Sequence, residues 1–484
     1  MKRDRKPKSG IGVAFGELVI GALITIAATV ACFVVFVALQ ALSYMLPNDQ
    51  IESHLRQAFV TGDLTLANSR PYDAERGYHQ RNDCVIYWMA LSRPDDIGKY
   101  IASAQYYWDE TQRAGYCQTL RDYLIDDPTA KYREGIYLRY LHGYRAATAF
   151  ALHVLDVPQM RGLFKGACFG LLALVAAAAI WRIASPRQNG DRLARARAFA
   201  GLGLAAVFGS LYGLNYFGQS PSHAPANCAL FLFLLITTQV DIMALSRWRL
   251  YGLIGVFGAL VAFFEFLTGA AVLGLAMLIA LTAVQGARLT PGFFVLRGAL
   301  MASAYVGAIV LSFALNLGLN SWYFGSETIL RFFDQLAVRM GTTVETKSVI
   351  GDSAETVVTF GDVFDALLRK LDFLTYGDPI VAQQLFLGFG FAFAAFMLVA
   401  AINVRRFSDV LRVAAFLASV GVIVVWYALF KNHTVIHSAF MVRVLVWAPA
   451  AAVLAGVVAA EFVLRGAASA ATTPRPSALR EQEA

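Results

Sequence analysis

The chain has 484 residues, of which 58% are hydrophobic and 15% charged, and its formal net charge at pH 7 is +8. Several stretches of about 18 or more residues carry almost no charge, which excludes a soluble domain and predicts transmembrane helices. The basic balance does not indicate a nucleic-acid partner. Basic residues flank apolar spans on the cytoplasmic side of membrane proteins, and no basic patch interleaved with aromatic residues occurs here.

The basic start MKRDRKPKSG precedes a long apolar run at 11–46. That run has no convincing small-residue cleavage site and is too long for the core of a signal peptide. We therefore predict a retained first span and no cleaved leader.

Hydropathy predicts an all-α, polytopic membrane protein of about ten transmembrane helices. The predicted spans are roughly 17–45, 162–182, 198–217, 227–246, 250–267, 269–287, 297–316, 383–403, 410–430 and 444–464.

The connections between these spans alternate in character. One set is short and basic, and the positive-inside rule assigns it to the cytoplasm. The sequence thus divides into a basic cytoplasmic N-terminus at 1–16, a transmembrane domain at 17–464 and a flexible cytoplasmic tail at 465–484. We predict a multi-pass protein of the plasma (inner) membrane with both termini in the cytoplasm.

The other set of connections holds two long extracytoplasmic loops, 47–161 and 317–382, and all seven histidines fall on this side. This distribution predicts that the polar chemistry faces the periplasm or exterior. Helical spacing of apolar residues predicts interfacial helices in the first loop, including YIASAQYYWDE and YLRYLHGYRAATAFALHVL. In the second loop it predicts two amphipathic helices on either side of a polar hairpin at 341–360.

The first loop contains Cys84 and Cys117. An oxidising compartment would allow these two thiols to pair. Two cysteines specify little, so the sequence favours the alternative of two unpaired thiols in the core of a small subdomain.

Three carboxylates on the extracytoplasmic side are candidate catalytic groups. Asp83 begins an apolar helix, where it is either a base in a partly dry cavity or an N-terminal cap. Asp49, just after the first span, is its rival. Glu265 lies among phenylalanines at the end of a span, where an ionisable group usually faces a cavity or partner; the alternative is a cap on the next helix.

Candidate ligand-binding side chains lie in three further segments. His142 and Arg145 share a helix face in RYLHGYR and suit a phosphate, or else lipid headgroups. Gln219 and His223 lie in the turn GQSPSHAPANC, which also suits an N-cap. The stretch KNHTVIHSAFMVR provides a cationic rim for an anionic leaving group, and its candidates are Lys431, His433, His437 and Arg443.

The spacing of His433 and His437 also matches that of zinc ligands, but a glutamate and a third ligand are missing. An interfacial belt is the plainer alternative for this segment. The sequence requires no cofactor and no metal, and it leaves the use of a divalent cation open. No nucleotide-binding motif is present.

The layout resembles the GT-C class of membrane glycosyltransferases, in its many spans, its large first outer loop with a carboxylate and interfacial helices, and its second structured outer loop. Five elements resemble a bacterial group of polytopic membrane proteins that has no settled function. They are LPNDQIESH at 46–54, NDC at 82–84, RYLHG at 139–143, FFEFLTG at 263–269 and NHTVIHSAFMVR at 432–443.

The GT-C resemblance implies a polyprenyl-phosphate-linked sugar as donor, an envelope glycan, lipid or protein as acceptor, and inversion at the sugar. By this resemblance Asp83 is the base and Glu265 orients the sugar or acceptor. His142, Arg145, His433, His437 and Arg443 bind phosphate. The family's acid lies earlier in the first loop and is often paired, which keeps Asp49 as the alternative base.

Two other functions remain open on the sequence alone. One is a transporter or flippase for a lipid-linked or envelope precursor, although strongly polar groups are scarce at mid-span depth. The other is a non-catalytic envelope-assembly protein. Membrane lipids are partners in every case.

Overall fold

The computed structural model describes residues 10–66, 80–109, 115–126, 132–138, 140–185, 191–265, 269–341, 343–347, 353–375 and 379–471.

Helices dominate these ranges. In the first half they are α1 Gly10–Tyr44, α2 Asn48–Thr61, α3 Gln80–Leu91, α4 Ile97–Ala102, α5 Tyr116–Arg121, α6 Gly143–Val154, α7 Val157–Ala184, α8 Arg192–Leu211, α9 Leu214–Phe217 and α10 Ala224–Gln239. The second half contains α11 Arg247–Phe264, α12 Ala270–Gln285, α13 Pro291–Phe324, α14 Glu327–Met340, α15 Phe360–Leu368, α16 Asp372–Thr375, α17 Pro379–Ile402, α18 Phe407–Leu429, α19 Lys431–Ile436, α20 Ser438–Met441 and α21 Trp447–Ala471. A π-helical turn covers Asp122–Asp126, and 3₁₀ turns cover Ile242–Ala244, Gly286–Arg288 and Val442–Val446.

Four short strands form two separate antiparallel hairpins. The first pairs β1 Ala104–Asp109 with β2 Tyr132–Tyr137, and the second pairs β3 Thr343–Lys347 with β4 Ser353–Val357.

Within the part of the chain that the structure describes, eight helices are long and apolar enough to cross a membrane. They cover Phe15–Tyr44, Val157–Ala184, Arg247–Phe264, Ala270–Arg288, Pro291–Phe324, Ile380–Ile402, Phe407–Leu429 and Ser438–Ala467. The other two predicted spans are also helical: α8 begins with three arginines in six residues, and α10 has only 16 residues. The fold is therefore that of a helical, multi-pass membrane protein.

The helix α12 lies at the centre of the bundle. Its apolar stretch is 78% buried, whereas that of α17 is 6% buried. A helix that is apolar on every side is stable only when neighbours or lipid surround it. We infer that α12 is enclosed by α8, α11, α13, α18 and α21, which all contact it, and that α17 lines the periphery.

The long helices run alternately up and down, so the bundle has two ends. The loop face carries the described residues of 45–156 and 325–375, together with the turns at 212–223 and 430–446 and with Glu265 and Gly269. The short-loop face carries the connections at 240–246, 286–290 and 403–406, together with Ser185 and Asp191.

The first loop segment folds into a small domain that packs on α1 and α7. Its core includes Ile51, Leu55, Trp88 and Leu120. A disulfide joins Cys84 of α3 to Cys117 of α5, with the two Cα atoms 5.1 Å apart. The structure thereby shows the pairing that the sequence allows but does not favour.

The prediction of helical structure is wrong for residues 104–109 of YIASAQYYWDE and for Tyr137 at the start of YLRYLHGYRAATAFALHVL. Residues 104–109 and 132–137 form the β1–β2 hairpin, in which Tyr107 pairs with Glu134 and Ala104 with Tyr137. Bulky aromatic side chains favour the pleated strand conformation, and cross-strand aromatic contacts stabilise it. Tertiary pairing therefore outweighs the helical spacing of the apolar residues.

The second loop agrees with its prediction, because α14 and α15 flank the β3–β4 hairpin. The amphipathic α14 leaves the side chains of Leu330 and Phe333 68% and 55% exposed. Several predicted span boundaries are wrong. The helix α13 continues to Phe324, beyond the predicted end at 316, and α21 continues to Ala471, beyond 464. The helices α8 and α10 end at Leu211 and Gln239, before the predicted ends at 217 and 246.

A candidate site on the loop face

Asp83 is a buried carboxylate in the first turn of α3, with a relative exposure of 2%. The hydroxyl of Ser220 donates to its Oδ1 at 2.5 Å, and the Ser220 and Ser222 hydroxyl oxygens are 2.7 Å apart. The carboxylate is thus bonded to a turn 137 residues away. The alternative that Asp83 is an N-terminal cap is wrong, since it lies inside the helix.

Burial raises the pKa of Asp83 from 3.8 to about 7. The positive charge of Arg161 and the hydroxyls of Ser220 and Ser222 oppose this shift but do not cancel it. Loss of water penalises the charged form of a carboxyl group more than two hydroxyl donors stabilise it. A carboxyl group with a pKa near 7 is matched to general-base catalysis at neutral pH.

Two further polar side chains surround this carboxylate. Arg161, at the start of α7, donates from Nη1 to the carbonyl of Asp63 at 2.7 Å. Its Nε and Nη2, and the hydroxyl of Tyr87, are buried and have no partner of regular hydrogen-bond geometry among the described residues. Tyr87 and Arg161 interact electrostatically with each other, and both interact with Asp83. Buried donors with only weak partners beside a carboxylate are costly, which suits a site for a polar ligand.

The Ser220–Ser222 turn continues directly to His223, which is fully buried before α10. Arg443 lies across from it, with Nη2 of the guanidinium 3.2 Å from Nδ1 of the imidazole. Because a guanidinium only donates, His223 accepts through Nδ1 and carries its ring proton on Nε2. The sequence alternative in which Ser or Asn caps α10 is wrong, since His223 occupies that position.

Arg443 is itself buried, and its guanidinium lies over the ring of Phe217 at 4.5 Å. It donates to the carbonyl of Phe440 at 3.2 Å and makes a long contact of 3.5 Å with Oδ1 of Asn227. The side chains of Asp83, Ser220 and Ser222 form one hydrogen-bonded group, and those of His223 and Arg443 form another. The backbone N–H of His223 donates to the carbonyl of Ser220 at 3.0 Å and so joins the two groups. We call the joined groups the Asp83–Arg443 network.

Glu265 caps the next helix, as one of its two sequence interpretations predicts. Its carboxylate accepts from the backbone N–H groups of Gly269 at 3.1 Å and Ala271 at 3.2 Å. The negative charge also suits the positive end of the α12 dipole. The same carboxylate interacts electrostatically with Arg443, so it borders the network as well as capping the helix.

Gly269 explains how these elements approach one another. Its φ angle is 110°, and a Cβ atom there would lie 2.2 Å from the Val444 side chain. Only glycine adopts that backbone conformation without strain. The turn therefore brings the start of α12 against the segment that carries Arg443.

His433 and His437 lie in contact at the loop face, with ring centroids 4.6 Å apart. His433 is buried, and its Nδ1 lies 2.9 Å from Nη1 of Arg339 at the end of α14. His433 must accept this hydrogen bond, so it is neutral in this arrangement. Arg339, which the predicted rim does not include, therefore supplies the positive charge beside His433. Lys431 is half-buried at the start of α19. Both histidine rings contact Phe440, which also contacts His223.

Arg339 also closes one side of an apolar groove of about 440 Å³ between α13 and α14. We call this the α13–α14 groove. Its lining comprises Tyr140, Val310, Phe313, Ala314, Leu317, Phe332, Phe333, Gln335, Leu336, Arg339 and Phe430. The groove is thus apolar along its length, with the Arg339–His433 pair at one border.

His142 and Arg145 belong to a separate cluster. Arg145 donates to Oε1 of Gln40, at 2.7 Å from Nη2, and to the carbonyls of Ser103 and Tyr100 at 2.9 and 2.6 Å. The guanidinium also stacks on Tyr100, 3.7 Å from the ring centroid. These contacts join α6 to α1 and α4, so the guanidinium is directed at protein acceptors and not at the Asp83–Arg443 network.

His142 has the only positive φ angle of a non-glycine residue in the described ranges, at 57°. Its ring contacts the hydroxyl of Tyr144 at 2.8 Å and the carbonyl of Tyr137 at 2.5 Å. Burial, followed by the charge of Arg145, holds its pKa well below 6.5. A neutral imidazole fixed in this way shapes the turn before α6.

The remaining candidates lie outside these contacts. Asp49 is exposed in the first turn of α2. Gln219 is buried and donates to the carbonyl of Asn215 at 2.5 Å. Arg139, which the sequence groups with His142, and the FLT element at 266–268 lie outside the described residues.

The sequence interpretation does not select four residues of this region: Tyr87, Arg161, Asn227 and Arg339. Arg161 and Arg339 carry a signal that could have found them. Each is a basic residue at the end of an apolar or amphipathic helix on the predicted extracytoplasmic side, where arginine is rare. Tyr87 and Asn227 carry no comparable signal, because only the packing of distant helices brings them to the site.

The chain is a helical, multi-pass membrane protein with a buried acid–base network at one end of its bundle. Comparison with family models, curated proteins and solved structures finds no match. In the described ranges, no three histidine, cysteine, aspartate or glutamate side chains are grouped so as to hold a metal ion.

Proposed function

We propose that the protein is a membrane glycosyltransferase that moves a sugar from a polyprenyl-phosphate donor to a hydroxyl of an envelope glycan, lipid or protein. The observation that carries the proposal is the buried Asp83 carboxylate, which is bonded to the turn of Ser220 and Ser222, and the next residue of that turn, His223, contacts the buried Arg443. A base and a cation set in one water-poor region suit a reaction in which an acceptor loses a proton and a phosphate departs.

In the proposed step the acceptor hydroxyl oxygen attacks the anomeric carbon while Asp83 takes the hydroxyl proton. The bond from the anomeric carbon to the phosphate oxygen breaks, and its electron pair leaves with the polyprenyl phosphate. One displacement of this kind inverts the sugar. Arg443 stabilises the developing negative charge, and Arg339 with His433 extends the cationic surface toward the lipid.

The α13–α14 groove supports a lipid-linked donor. It is lined by aliphatic and aromatic side chains, and its exposed members Val310 and Phe333 face the surroundings of the bundle. A prenyl chain gains free energy in such a groove because apolar surface leaves water or loosely packed lipid. The Arg339–His433 pair is placed to receive the phosphate at the head of that chain.

Two observations support placing this site on the extracytoplasmic side of the plasma (inner) membrane. The Cys84–Cys117 disulfide lies on the loop face, and disulfides persist in oxidising compartments. The short-loop face carries arginine-rich segments such as the start of α8, as expected for the cytoplasmic side.

The α13–α14 groove also suits a second function, that of a transporter or flippase for a lipid-linked precursor. The two functions differ in what they require of Asp83. A flippase needs no base at a site next to one membrane surface, whereas sugar transfer fails without one.

The test compares envelope glycans and lipids extracted from a deletion strain that carries the wild-type gene or single variants. Asp83→Asn keeps the size of the side chain but removes the base, and we expect it to lose the modification that the wild type restores. Asp95→Asn, an exposed position of the same loop segment, is the matched control and should restore it. Asp49→Asn tests the alternative base in the same assay.

Purified protein in vesicles with a radiolabelled polyprenyl-phosphate sugar then separates transfer from translocation. Product that forms with wild type and not with Asp83→Asn supports the transferase. A glycan profile that Asp83→Asn restores in full contradicts it, and movement of the donor across the vesicle membrane without product identifies a flippase.

A further inference from the structure

A second cleft lies in the small domain of the loop face, on a different side of α3 from Asp83. It has a volume of about 440 Å³. Its lining comprises Asn48, Trp88, Leu91, Ser92, Arg93, Tyr107, Tyr123 and Tyr132. Half of these residues are aromatic, and the others are mostly polar, whereas the α13–α14 groove is mostly apolar. We call it the aromatic cleft.

Three separate elements build its aromatic wall. Tyr107 and Tyr132 project from one face of the β1–β2 hairpin, since Tyr107 pairs with Glu134 and alternate residues of a strand share a face. Tyr123 comes from the π-helical turn, and Trp88 from α3. The Trp88 ring lies 5.3, 4.9 and 6.0 Å from the rings of Tyr107, Tyr123 and Tyr132, respectively.

The polar atoms of the cleft are held in place by their other contacts. Asn48 donates from Nδ2 to the carbonyl of Leu91 at 2.8 Å, which fixes the orientation of the amide. Arg93 donates from Nη1 to the carbonyl of Ala90 at 2.5 Å and from Nη2 to that of Ser43 at 3.2 Å. Both side chains are therefore positioned before any ligand binds.

Three buried polar atoms of these lining residues have no hydrogen-bond partner among the residues that the structure describes: Oδ1 of Asn48, Nε1 of Trp88 and Nε of Arg93. One is an acceptor and two are donors. A buried polar atom without a partner costs free energy, so a ligand that supplies one donor and two acceptors would be favoured here.

We propose that the aromatic cleft binds a glycan that contains N-acetylated pyranose units. The C–H faces of a pyranose ring pack on aromatic rings, and an acetamido group offers an N–H donor beside a carbonyl acceptor. The N–H matches Oδ1 of Asn48, while the carbonyl and a ring hydroxyl match the donors of Trp88 and Arg93. The volume falls within the usual range of small-ligand sites, about 300–1,000 Å³.

The position of the aromatic cleft relative to Asp83 indicates that the bound glycan is the acceptor of the sugar. Asp83 and Trp88 lie five residues apart on α3, which is about 7.5 Å along a helix axis. A chain held in the aromatic cleft can therefore extend around α3 toward Asp83. That the bound glycan is the acceptor rests on the proposed glycosyltransferase function, whereas glycan binding by itself does not.

Calorimetry on the purified full-length protein in detergent tests the proposal with two probes, chitotetraose and cellotetraose, which differ in the acetamido groups. We expect saturable binding of chitotetraose and at least about tenfold weaker binding of cellotetraose. Tyr107→Ala and Tyr132→Ala each remove one aromatic wall and should weaken chitotetraose binding about tenfold. Tyr106→Ala is the matched control on the other face of the same strand and should leave binding unchanged.

Thermal unfolding and the electrophoretic shift of the Cys84–Cys117 disulfide show whether each variant has folded. Equal binding of both probes, no binding by the wild type, or unchanged binding in folded Tyr107→Ala and Tyr132→Ala overturns the proposal. Asp83→Asn should bind chitotetraose normally even if it transfers no sugar. Failure of glycan binding and failure of sugar transfer are thereby distinguishable.

Discussion

On the short-loop face three arginines lie against carboxylates, whereas on the loop face the buried arginine side chains contact mostly neutral groups. Arg197 pairs with Asp241 at 3.1 Å, Arg412 with Glu461 at 2.6 Å, and Arg465 with Asp409 at 2.9 Å. These pairs join helices at the short-loop end of the bundle. On the loop face, Arg443 donates to His223 and to the carbonyl of Phe440, and Arg339 donates to His433. Asp83 accepts from a serine.

This difference distinguishes two kinds of buried charge: those that stabilise the fold and those that bind a ligand. A buried ion whose charge is balanced inside the protein stabilises the packing of its helices. A buried charge that is solvated only by dipoles is costly, and chains retain it chiefly where a charged partner binds. We therefore expect substitutions on the short-loop face to reduce stability and substitutions in the Asp83–Arg443 network to reduce activity.

The largest effect on stability should come from Arg412→Gln. It leaves Glu461 without the bidentate partner that it has at 3.2 and 2.6 Å and removes a donor from the carbonyl of Ala283. Breaking a buried pair from one side costs about 3–5 kcal/mol. Thermal unfolding in detergent measures this loss, and activity per folded molecule should stay near that of the wild type. If the variant is as stable as the wild type, the claim that the Arg412–Glu461 pair stabilises the fold is wrong.

The next largest effect is the contribution of the Asp83 carboxyl group to the pH dependence of stability. Its pKa is 3.8 unfolded and about 7 folded, so between these values the unfolded chain binds fewer protons than the folded one. Stability therefore falls as pH rises from about 4 to 7, by up to about 4 kcal/mol, and is constant beyond that range as far as this group is concerned. Unfolding midpoints of the wild type and Asp83→Asn from pH 4 to 8 measure the difference. The two curves should converge at low pH, with the variant the more stable at high pH.

The same ionisation should appear in activity, because only the deprotonated Asp83 can accept a proton. We expect the rate of sugar transfer by the wild type to rise with pH and to level off above about 7. A rate that is independent of pH between 5 and 8 would contradict the assignment of Asp83 as the base.

A smaller but specific effect is expected for Arg443→Gln. The amide retains a donor toward His223 but lacks the charge that stabilises a leaving phosphate, so the rate should fall about 100-fold, or about 2.7 kcal/mol in the barrier. Single-turnover rates measure this change. Arg145→Gln is the matched comparison, since it also removes a buried arginine of the loop face, and it should lower stability more than the rate of the folded fraction. Equal losses of rate for both variants would contradict the claim that Arg443 belongs to the site and Arg145 to a structural cluster.

The smallest effect should come from the exposed pair of Arg331 and Glu327 on α14, at 3.4 Å. Both side chains are more than two-thirds exposed, and such a pair one helical turn apart is worth about 0.3–0.5 kcal/mol. Glu327→Gln should accordingly change the unfolding midpoint hardly at all. A large change would mean that α14 depends on this charge more than on its apolar face.

The sequence predicts the helical spans well because each depends on a local property. An apolar run of sufficient length is helical in a membrane whatever its neighbours are, since no other local structure satisfies its backbone there. The polar hairpin at 341–360 and the cap formed by Glu265 are predicted for a similar reason, as both involve residues close together in the chain. The β1–β2 hairpin is not, because its strands are joined by 22 intervening residues and pair through aromatic side chains.

The candidate site is predicted only in part. Asp83, His223 and Arg443 are identified by residue type and position, but their sequence neighbours do not reveal which partners they contact. His142 and Arg145 were expected beside them and instead form a cluster with Gln40 and Tyr144. The identities of ionisable residues thus indicate where chemistry is possible, and packing decides which of them act together.

The sequence by itself determined that this chain crosses a membrane many times and which of its segments form the two ends of the bundle. Only the tertiary structure decided that Asp83 meets Ser220, that Cys84 pairs with Cys117 and that Arg339 contacts His433. The physical reason is the distance along the chain over which each interaction acts. Hydropathy and helix formation act over a few neighbouring residues, whereas burial, pKa and hydrogen bonding at a site depend on groups that are distant in the chain and adjacent only after the helices pack.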